Sequence, residues 1–236
     1  MRGPIALVGG AEFLPGAHDL DAWLLERSAH SRGGASGGGA SGGGAVTMLP
    51  TAAAHQRPEK AVATARRHFQ SLGASLDAVM VLEREDAEDP SLGARLGRAS
   101  FVYLCGGDPR HLAAVLAGTP VWEAILEANA AGGVLAGSSA GAMVLCAWMA
   151  PPGSAGLERG LGLLPDLVVI PHHDTTDKSH RAYLQEVGRP ELSFVGIDEA
   201  TGLVLDGGRR RVLGAGTVTV YREGKAAWTG RAPAEI

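Results

Sequence analysis

A serine stands between small residues in the segment Gly137-Ser138-Ser139-Ala140-Gly141. The apolar run before this segment favours a strand, and residues 142–149 after it favour a helix. A sharp strand-to-helix turn exposes its central side chain and leaves N–H groups at the helix start that can bind an oxyanion. The pattern therefore predicts Ser139 as a nucleophile and the N–H of Ala140 as an oxyanion donor. A plain tight turn is the alternative interpretation.

A serine nucleophile needs a base, and the base needs an acid that orients it. The adjacent histidines His172 and His173 follow one apolar run, and the acids Asp198 and Glu199 follow another. Ligand sites of open α/β sheets lie at the carboxyl ends of strands, where these segments are expected. They predict a histidine base with a carboxylate partner and leave open which histidine and which acid act. A solvated loop and a polar turn are the alternatives.

Two adjacent glycines, Gly106 and Gly107, follow a further apolar run. Because they lack side chains, a backbone N–H can point into the site, which predicts Gly107 as the second oxyanion donor. The aspartate and proline that come next are typical of a helix cap and first turn. Asp108, Arg110 and His173 are the candidate substrate-binding residues. Arg110 could hold a carboxylate, but an exposed helix charge is the preferred explanation.

Short apolar runs alternate with helical patterns along most of the chain. They predict strands at Ile5–Val8, at residues 46–49, 78–82, 101–105 and 134–136, and at Leu167–Ile170. Amphipathic spacing predicts a helix over residues 58–72, and Thr119 with Pro120 begins another. Short strands with glycine-rich turns follow residue 194. We therefore predict one α/β domain over residues 1–236, with a mainly parallel sheet, helices on both faces and antiparallel edge strands near the C-terminus.

The composition excludes several other classes of protein. Hydrophobic residues make up 45% and charged residues 19%, which supports a packed core. The net charge of −4 disfavours a nucleic-acid partner. Two cysteines, Cys105 and Cys146, are too few for a disulfide framework or a four-cysteine zinc site. Residues 128–157 contain no Asp, Glu, Lys, Arg or His, but the small polar residues and Pro151-Pro152 within them favour strand, turn and buried helix over a membrane span.

Residues 33–44 hold eight of the 35 glycines and repeat glycine, alanine and serine. Such a segment has little side chain to bury and much backbone entropy to lose, so it predicts a flexible loop. A tolerated surface insertion is preferred over a functional lid.

The motifs together resemble the cyanophycinase and dipeptidase E serine peptidases, which have the class I glutamine-amidotransferase-like fold. The resemblance covers roughly residues 5–206 and is carried by segments that occur in the same order. They are Leu7-Val8-Gly9-Gly10, Gly106-Gly107-Asp108, Gly137-Ser138-Ser139-Ala140-Gly141-Ala142, Pro171-His172 and Gly196-Ile197-Asp198-Glu199. The resemblance implies Ser139 as nucleophile, His172 as base and Glu199 as acid. It also implies Gly107 and Ala140 as oxyanion donors.

Some positions depart from the family pattern. Asp108-Pro109 matches neither the Gly-Gly-Asp-Gln of cyanophycinases nor the Gly-Gly-Asn-Thr of the dipeptidases. His173 stands where aromatic residues are commoner. Residues 140–157 lack the acid that dipeptidase-type members place after the nucleophile, which favours Glu199. The departures bear on substrate specificity more than on catalysis.

Rival functions are weaker. A glutamine amidotransferase would carry a cysteine at position 139, and an α/β-hydrolase esterase would order its residues as serine, acid, histidine. A metal site from His172, His173, Asp174, Asp177 and His180 is disfavoured because adjacent side chains point apart. A family member that has lost activity and binds a small peptide or metabolite remains the non-enzyme alternative.

The sequence thus predicts a serine hydrolase that cleaves an amide bond in a small peptide, with an aspartyl or β-aspartyl residue implied by the resemblance. No metal or other cofactor, nucleic acid or membrane partner is expected. A homodimer is left open. The apolar stretch at the N-terminus is too short for a secretory signal, so a cytoplasmic location is expected.

Overall fold

The structure, a computed structural model, describes residues 2–30, 44–175, 191–223 and 225–235. The predicted loop at 33–44 lies outside these residues except for Gly44. Within them the strands are β1 (Ile5–Val8), β2 (Ala45–Leu49), β3 (Ser75–Ala78), β4 (Phe101–Leu104), β5 (Val134–Ser138), β6 (Trp148–Met149), β7 (Glu158–Arg159), β8 (Leu167–Ile170), β9 (Ser193–Ile197), β10 (Thr201–Asp206), β11 (Arg209–Gly214), β12 (Thr217–Arg222), β13 (Lys225–Arg231) and β14 (Ala234–Glu235). The helices are α1 (His18–His30), α2 (Pro58–Ser71), α3 (Arg84–Ala87), α4 (Pro90–Leu96), α5 (Pro109–Leu116), α6 (Pro120–Ala130) and α7 (Ala140–Val144).

The central sheet has eight strands in the order β14-β11-β10-β1-β5-β4-β2-β3. Strands β1, β5, β4, β2 and β3 run parallel to one another. Strand β10 pairs antiparallel with β1 on one side and with β11 on the other, and β11 pairs antiparallel with β14. The predicted fold class, a mainly parallel sheet with antiparallel strands near the C-terminus, is confirmed.

A second sheet has the order β13-β12-β9-β8, so β8 does not join the central sheet. Strands β8 and β9 are parallel, and Ile170 is paired with Gly196 near their carboxyl ends. The loops that follow these strands therefore lie side by side. Strands β6 and β7 form a separate small hairpin.

Side chains of the central strands alternate between two buried faces. On β4, Phe101 and Tyr103 face α1 and α2, while Val102 and Leu104 face α5 and α6. Both faces are covered by helices, as the sequence predicts. A parallel sheet buried on both sides explains why its strands are continuous apolar runs. Among the described residues, no helix is long and apolar enough to cross a membrane.

One histidine that the sequence places on a helix or surface loop is buried in the core. His68 of α2 is 8% exposed, and its Nε2 lies 2.8 Å from Oδ2 of Asp21. Burial raises the pKa of Asp21, although the bond to His68 opposes that rise. His68 also packs beside Phe13 and Phe69 at the edge of an aromatic cluster. His68 thus lies on a helix, as the spacing over residues 58–72 predicts, and its side chain is a buried partner of Asp21.

Three local predictions differ from the structure. The strand predicted at 78–82 lies earlier in the chain, at Ser75–Ala78. After it the chain turns, and the N–H of Val81 donates to the carbonyl of Val79. The helix predicted over 142–149 ends at Val144 because the N–H of Ala147 donates to the carbonyl of Leu164. The glycine-rich sequence there also predicts a hairpin turn at residues 209–211, but these residues begin β11, and the turn is formed by the two preceding glycines.

Candidate active site

Ser139 occupies a strained turn between β5 and α7. Its φ is 49° and its ψ is −108°, an unusual conformation for a residue with a side chain. A side chain on Gly137 would overlap the carbonyl of Gly141, so the two arms of the turn approach closely only because Gly137 has none. The geometry is that of a nucleophile elbow, with Ser139 partly exposed at its apex.

Ser139 begins a chain of hydrogen bonds that ends on a carboxylate. Its Oγ lies 2.9 Å from Nε2 of His172, and Nδ1 of His172 lies 2.9 Å from Oε1 of Glu199. His172 follows β8 and Glu199 follows β9, so the parallel pairing of these strands brings the two residues together. The arrangement of nucleophile, imidazole and carboxylate can perform nucleophilic catalysis with a general base.

The neighbouring pair, His173 and Asp198, lies in the interior. His173 is 7% exposed; its Nδ1 lies 3.3 Å from Asp198, and its Nε2 lies 2.8 Å from the hydroxyl of Tyr221. Asp198 also accepts a hydrogen bond from the N–H of Thr217. The tandem residues thus form two histidine–acid pairs, one facing Ser139 and one that ties the loops to β12.

The loop after β4 brings Gly107 to the same cavity as Ser139. Gly107 has a φ of 143° and packs against the carbonyl of Ala52, where any side chain would overlap that carbonyl. The next N–H, of Asp108, donates to the same carbonyl at 2.7 Å. Ala140 starts α7, and N–H groups of a first helical turn have no acceptor within the helix. Gly107 and Ala140 therefore both line the cavity that contains Ser139.

The predicted substrate contacts Asp108 and Arg110 are engaged within the protein. Asp108 caps α5 by accepting the N–H groups of Arg110 and His111. The Arg110 guanidinium donates to both carboxylate oxygens of Glu158, at 2.8 to 3.1 Å, and to the carbonyl of Pro152. The guanidinium lowers the pKa of the Glu158 carboxyl through this bond. Substrate contact by either side chain would require these bonds to open.

Glu12 is a residue of the site that the sequence reasoning missed. One carboxylate oxygen accepts the N–H of Gly106 at 2.9 Å, and the other accepts the hydroxyl of Ser138 at 2.8 Å. Glu12 therefore joins the loop of Gly107 to the turn of Ser139. The available signal was its position after Gly9-Gly10, as the one charged residue within residues 3–17.

The loop that carries Glu12 also contacts the base and the acid segment. The carbonyl of Gly9 accepts the N–H of His172, and the carbonyl of Gly10 accepts the N–H of Ala200. Gly10, with a φ of 137°, lies directly under the His172 ring, and any side chain there would overlap the imidazole. The loop after β1 thus touches every segment of the candidate site.

Two cavities open at Ser139 and His172. The first, of about 530 Å³, has described walls made chiefly of small and apolar residues, including Pro109, Met143 and Pro152. The second, of about 390 Å³, is lined by Arg57 and Lys60 together with Glu12. Among the described lining residues, the arginine and lysine side chains are confined to the second cavity, which gives the cleft a polar and an apolar side.

The two cysteines are unsuited to replace the serine. Both are buried, and burial raises the pKa of Cys105 and of Cys146 to about 12. Neither thiol is ionised at neutral pH.

The one cluster of metal-ligating side chains in the part of the chain that the structure describes consists of His55, Glu83 and His111.

A serine paired with a histidine and a carboxylate at the strand ends of an α/β fold defines a site of the serine-hydrolase class. Residues 39–213 match the model of peptidase family S51. The chain belongs to that family.

Similarity to individual proteins agrees with this membership. The chain is 34% identical over 190 residues to a cyanophycinase of Trichormus variabilis, covering 74% of this chain and 62% of that protein. It is 32% identical over 187 residues to a cyanophycinase of Synechococcus elongatus, covering 71% and 56%. The chain therefore spans less than two thirds of the length of these two relatives. Over 192 residues it is 24% identical to a peptidase E of Nostoc sp., covering 76% of each.

Solved structures show the same fold. A peptidase from an acI-B1 actinobacterium superposes with a TM-score of 0.85 at 31% identity, covering 100% of this chain and 97% of that one. A putative peptidase E protein from Listeria monocytogenes gives a TM-score of 0.64 at 19% identity, covering 94% and 99%. The second likeness extends to the fold alone.

Proposed function

We propose that this chain is a serine peptidase that hydrolyses an amide bond of a small peptide, with Ser139 as nucleophile, His172 as base and Glu199 as the orienting acid. The observation that carries the proposal is the continuous set of hydrogen bonds from Ser139 through His172 to Glu199. Membership of peptidase family S51 supports the same reaction class.

In the proposed reaction, Oγ of Ser139 attacks the amide carbonyl while Nε2 of His172 accepts its proton. The tetrahedral intermediate collapses, the C–N bond breaks, and His172 returns the proton to the leaving amine. A water molecule then attacks the acyl-enzyme with His172 as base, which releases the acid and restores Ser139. Glu199 holds the tautomer with a proton on Nδ1 and stabilises the imidazolium.

The oxyanion of each intermediate would be bound by the N–H groups of Gly107 and Ala140. Removing one such donor in serine proteases costs about 3–4 kcal/mol of transition-state stabilisation. Because Glu12 joins the segments that carry these two donors, we assign it a positioning role. Two charge-assisted hydrogen bonds fix the spacing of Gly106 and Ser138, and with them the residues that follow each.

The second cavity supports an acidic group in the substrate. Arg57 and Lys60 line it beside Ser139, whereas both carboxylate oxygens of Glu12 are already engaged. A substrate carboxylate there would meet two cations, Arg57 and Lys60, and one anion, Glu12, whose two oxygens are already hydrogen-bonded. This agrees with an aspartyl or β-aspartyl residue next to the scissile bond.

Covalent labelling tests the proposal directly. A fluorophosphonate added to the native protein should give one adduct per chain, located at Ser139 by peptide mass spectrometry. Protein unfolded before addition is the control, since an isolated serine hydroxyl is a weak nucleophile. A folded protein that gives no adduct would contradict the peptidase proposal and favour a binding function.

Neutralising the second cavity should weaken selection for acidic substrates. With Arg57→Gln and Lys60→Gln combined, we expect kcat/KM for an aspartyl dipeptide to fall about tenfold or more, because charge-assisted hydrogen bonds contribute about 1.5–3 kcal/mol. The value for the matching asparaginyl dipeptide should change little. Arg66→Gln, an exposed cation on the same helix but outside the cavity, is the control. Equal losses on both dipeptides would contradict carboxylate recognition.

Replacing Glu12 should slow the chemical step. For Glu12→Ala we expect kcat to fall about 100-fold with KM nearly unchanged, as for loss of an oxyanion donor. Glu12→Gln should recover part of the loss because its amide can still accept from Gly106. Affinity for a peptide boronate, which mimics the tetrahedral intermediate, should fall with kcat. A raised KM at unchanged kcat would instead assign Glu12 to substrate binding.

The variant Ser138→Ala tests whether Glu12 acts through its hydrogen bond to Ser138. It removes one of the two partners while leaving the carboxylate in place. If Glu12 acts by fixing the Ser138 segment, the effects of Glu12→Ala and Ser138→Ala should combine to less than their sum. Fully additive effects would contradict this coupling.

A further inference from the structure

Three potential metal ligands from separate segments meet next to the helix α5 that follows Gly107. His55 follows the 3-10 turn Thr51–Ala53, Glu83 precedes α3, and His111 lies in the first turn of α5. One ligand atom from each residue lies within 4.8 Å of the ligand atoms of the other two. The two imidazole rings have their centroids 4.6 Å apart.

Two of these residues are held by neighbouring groups. Nε2 of His111 lies 2.8 Å from the carbonyl of Leu82, so the neutral ring that donates this bond keeps its lone pair on Nδ1. The carboxylate of Asp86 accepts the N–H groups of Leu82 and Glu83 at 2.8 and 3.0 Å, which fixes the chain that carries the glutamate. A backbone carbonyl that orients a ligating imidazole is a common feature of metal sites.

We propose that His55, Glu83 and His111 bind a divalent transition-metal ion of the zinc type. Two imidazoles and one carboxylate are a ligand set that zinc uses with a water molecule as fourth ligand. Calcium and magnesium prefer oxygen ligands, so this set disfavours them. His55 and Glu83 are exposed, and their side chains can move the short distance needed to reach bonds of about 2.0–2.2 Å.

The ion would have a structural role, because it would hold together the segments against which Gly107 packs. The carbonyl of Ala52 receives the N–H of Asp108, and the hydroxyl of Thr51 donates to the carbonyl of Val81. The three segments that form these bonds are the same three that supply the ligands. Among the described lining residues of the two cavities at Ser139, none is a member of the cluster. The metal is therefore not expected to touch the substrate.

Calorimetric titration with Zn²⁺ tests the proposal. Chelator-treated full-length protein should bind one ion with a dissociation constant in the micromolar range, and Tm should rise by several degrees at saturation. The His55→Ala, Glu83→Gln double variant should bind about 100-fold or more weakly. Its metal-free Tm should change little, because both side chains are exposed and a glutamine can still accept the capping bond that Glu83 accepts at the start of α3. His18→Ala, which removes an exposed histidine elsewhere, is the matched control and should bind as the native protein does.

Cobalt provides a second measurement. Co²⁺ in a four-coordinate site absorbs visible light more strongly than hydrated Co²⁺, and this absorbance should appear in native protein and be lost in the double variant. Absence of Zn²⁺ binding up to millimolar concentration would overturn the proposal. Equal binding by native protein and the double variant would also overturn it, since the ion would then lie elsewhere. Fluorophosphonate labelling should persist after chelation, so this test is independent of the peptidase proposal.

Discussion

Replacing Ser139 with alanine should lower peptide hydrolysis by about 10⁴- to 10⁶-fold, the range seen when a triad nucleophile is removed. The hydroxyl is the attacking group, and no other described nucleophile can take its place, because both thiols are buried with pKa values of about 12. Tm should change little. The side chain is partly exposed, and alanine tolerates a φ of 49° about as poorly as serine does.

Turnover of an aspartyl dipeptide and fluorophosphonate labelling, each measured beside Tm, would check this result. Ser138→Ala is the matched control, since it removes the adjacent hydroxyl, which bonds to Glu12 rather than to His172. That variant should still be labelled. Turnover near the native level in Ser139→Ala would contradict the mechanism.

Those parts of the site that rest on local geometry could be predicted from the sequence. A serine with a glycine two positions before and two positions after it, following an apolar strand, favours a tight turn, and the structure places Ser139 at that turn. The helix cap at Asp108 and the helix start at Thr119 are likewise local, and both are confirmed. Each follows from residues within about four positions of one another.

The parts that depend on distant contacts could not be predicted. Glu12 is 94 residues from Gly106 and 126 from Ser138, and no spacing rule relates them. The buried bond between His68 and Asp21 could not be predicted, because the two residues are 47 positions apart in the sequence. Strand β8 was expected in the central sheet because an apolar run does not reveal which sheet it joins.

The tandem histidines show the same limit at a single site. The sequence placed His172 and His173 together but gave no reason, apart from the family resemblance, to choose between them. Neighbouring residues point in opposite directions, so only the tertiary structure decides which ring meets Ser139. The distances of 2.9 Å from His172 to Ser139 and 2.8 Å from His173 to Tyr221 motivate separate roles.

His172→Ala should therefore abolish activity, lowering kcat by about 10⁴-fold or more, while Tm stays nearly unchanged. His173→Ala should do the reverse. It removes the imidazole partner of the Tyr221 hydroxyl and one of the partners of Asp198, which keeps the N–H of Thr217. We expect this loss to cost about 1–3 kcal/mol of folding stability and to reduce kcat only modestly. Dipeptide turnover and thermal unfolding measured on both variants would separate the two roles.

Substitutions of the two acids, Glu199 and Asp198, provide the matching pair of variants for the two histidines. Glu199→Gln should lower kcat strongly, because the neutral amide no longer stabilises the imidazolium, whereas Asp198→Asn should act mainly on Tm. Substitutions at His172 and Glu199 would then share a loss of turnover, and substitutions at His173 and Asp198 would share a loss of thermal stability. Loss of activity in His173→Ala with turnover retained in His172→Ala would exchange the assignments and place the base on the inner ring. Since that ring is 7% exposed, the loop after β8 would first have to open to bring it to Ser139.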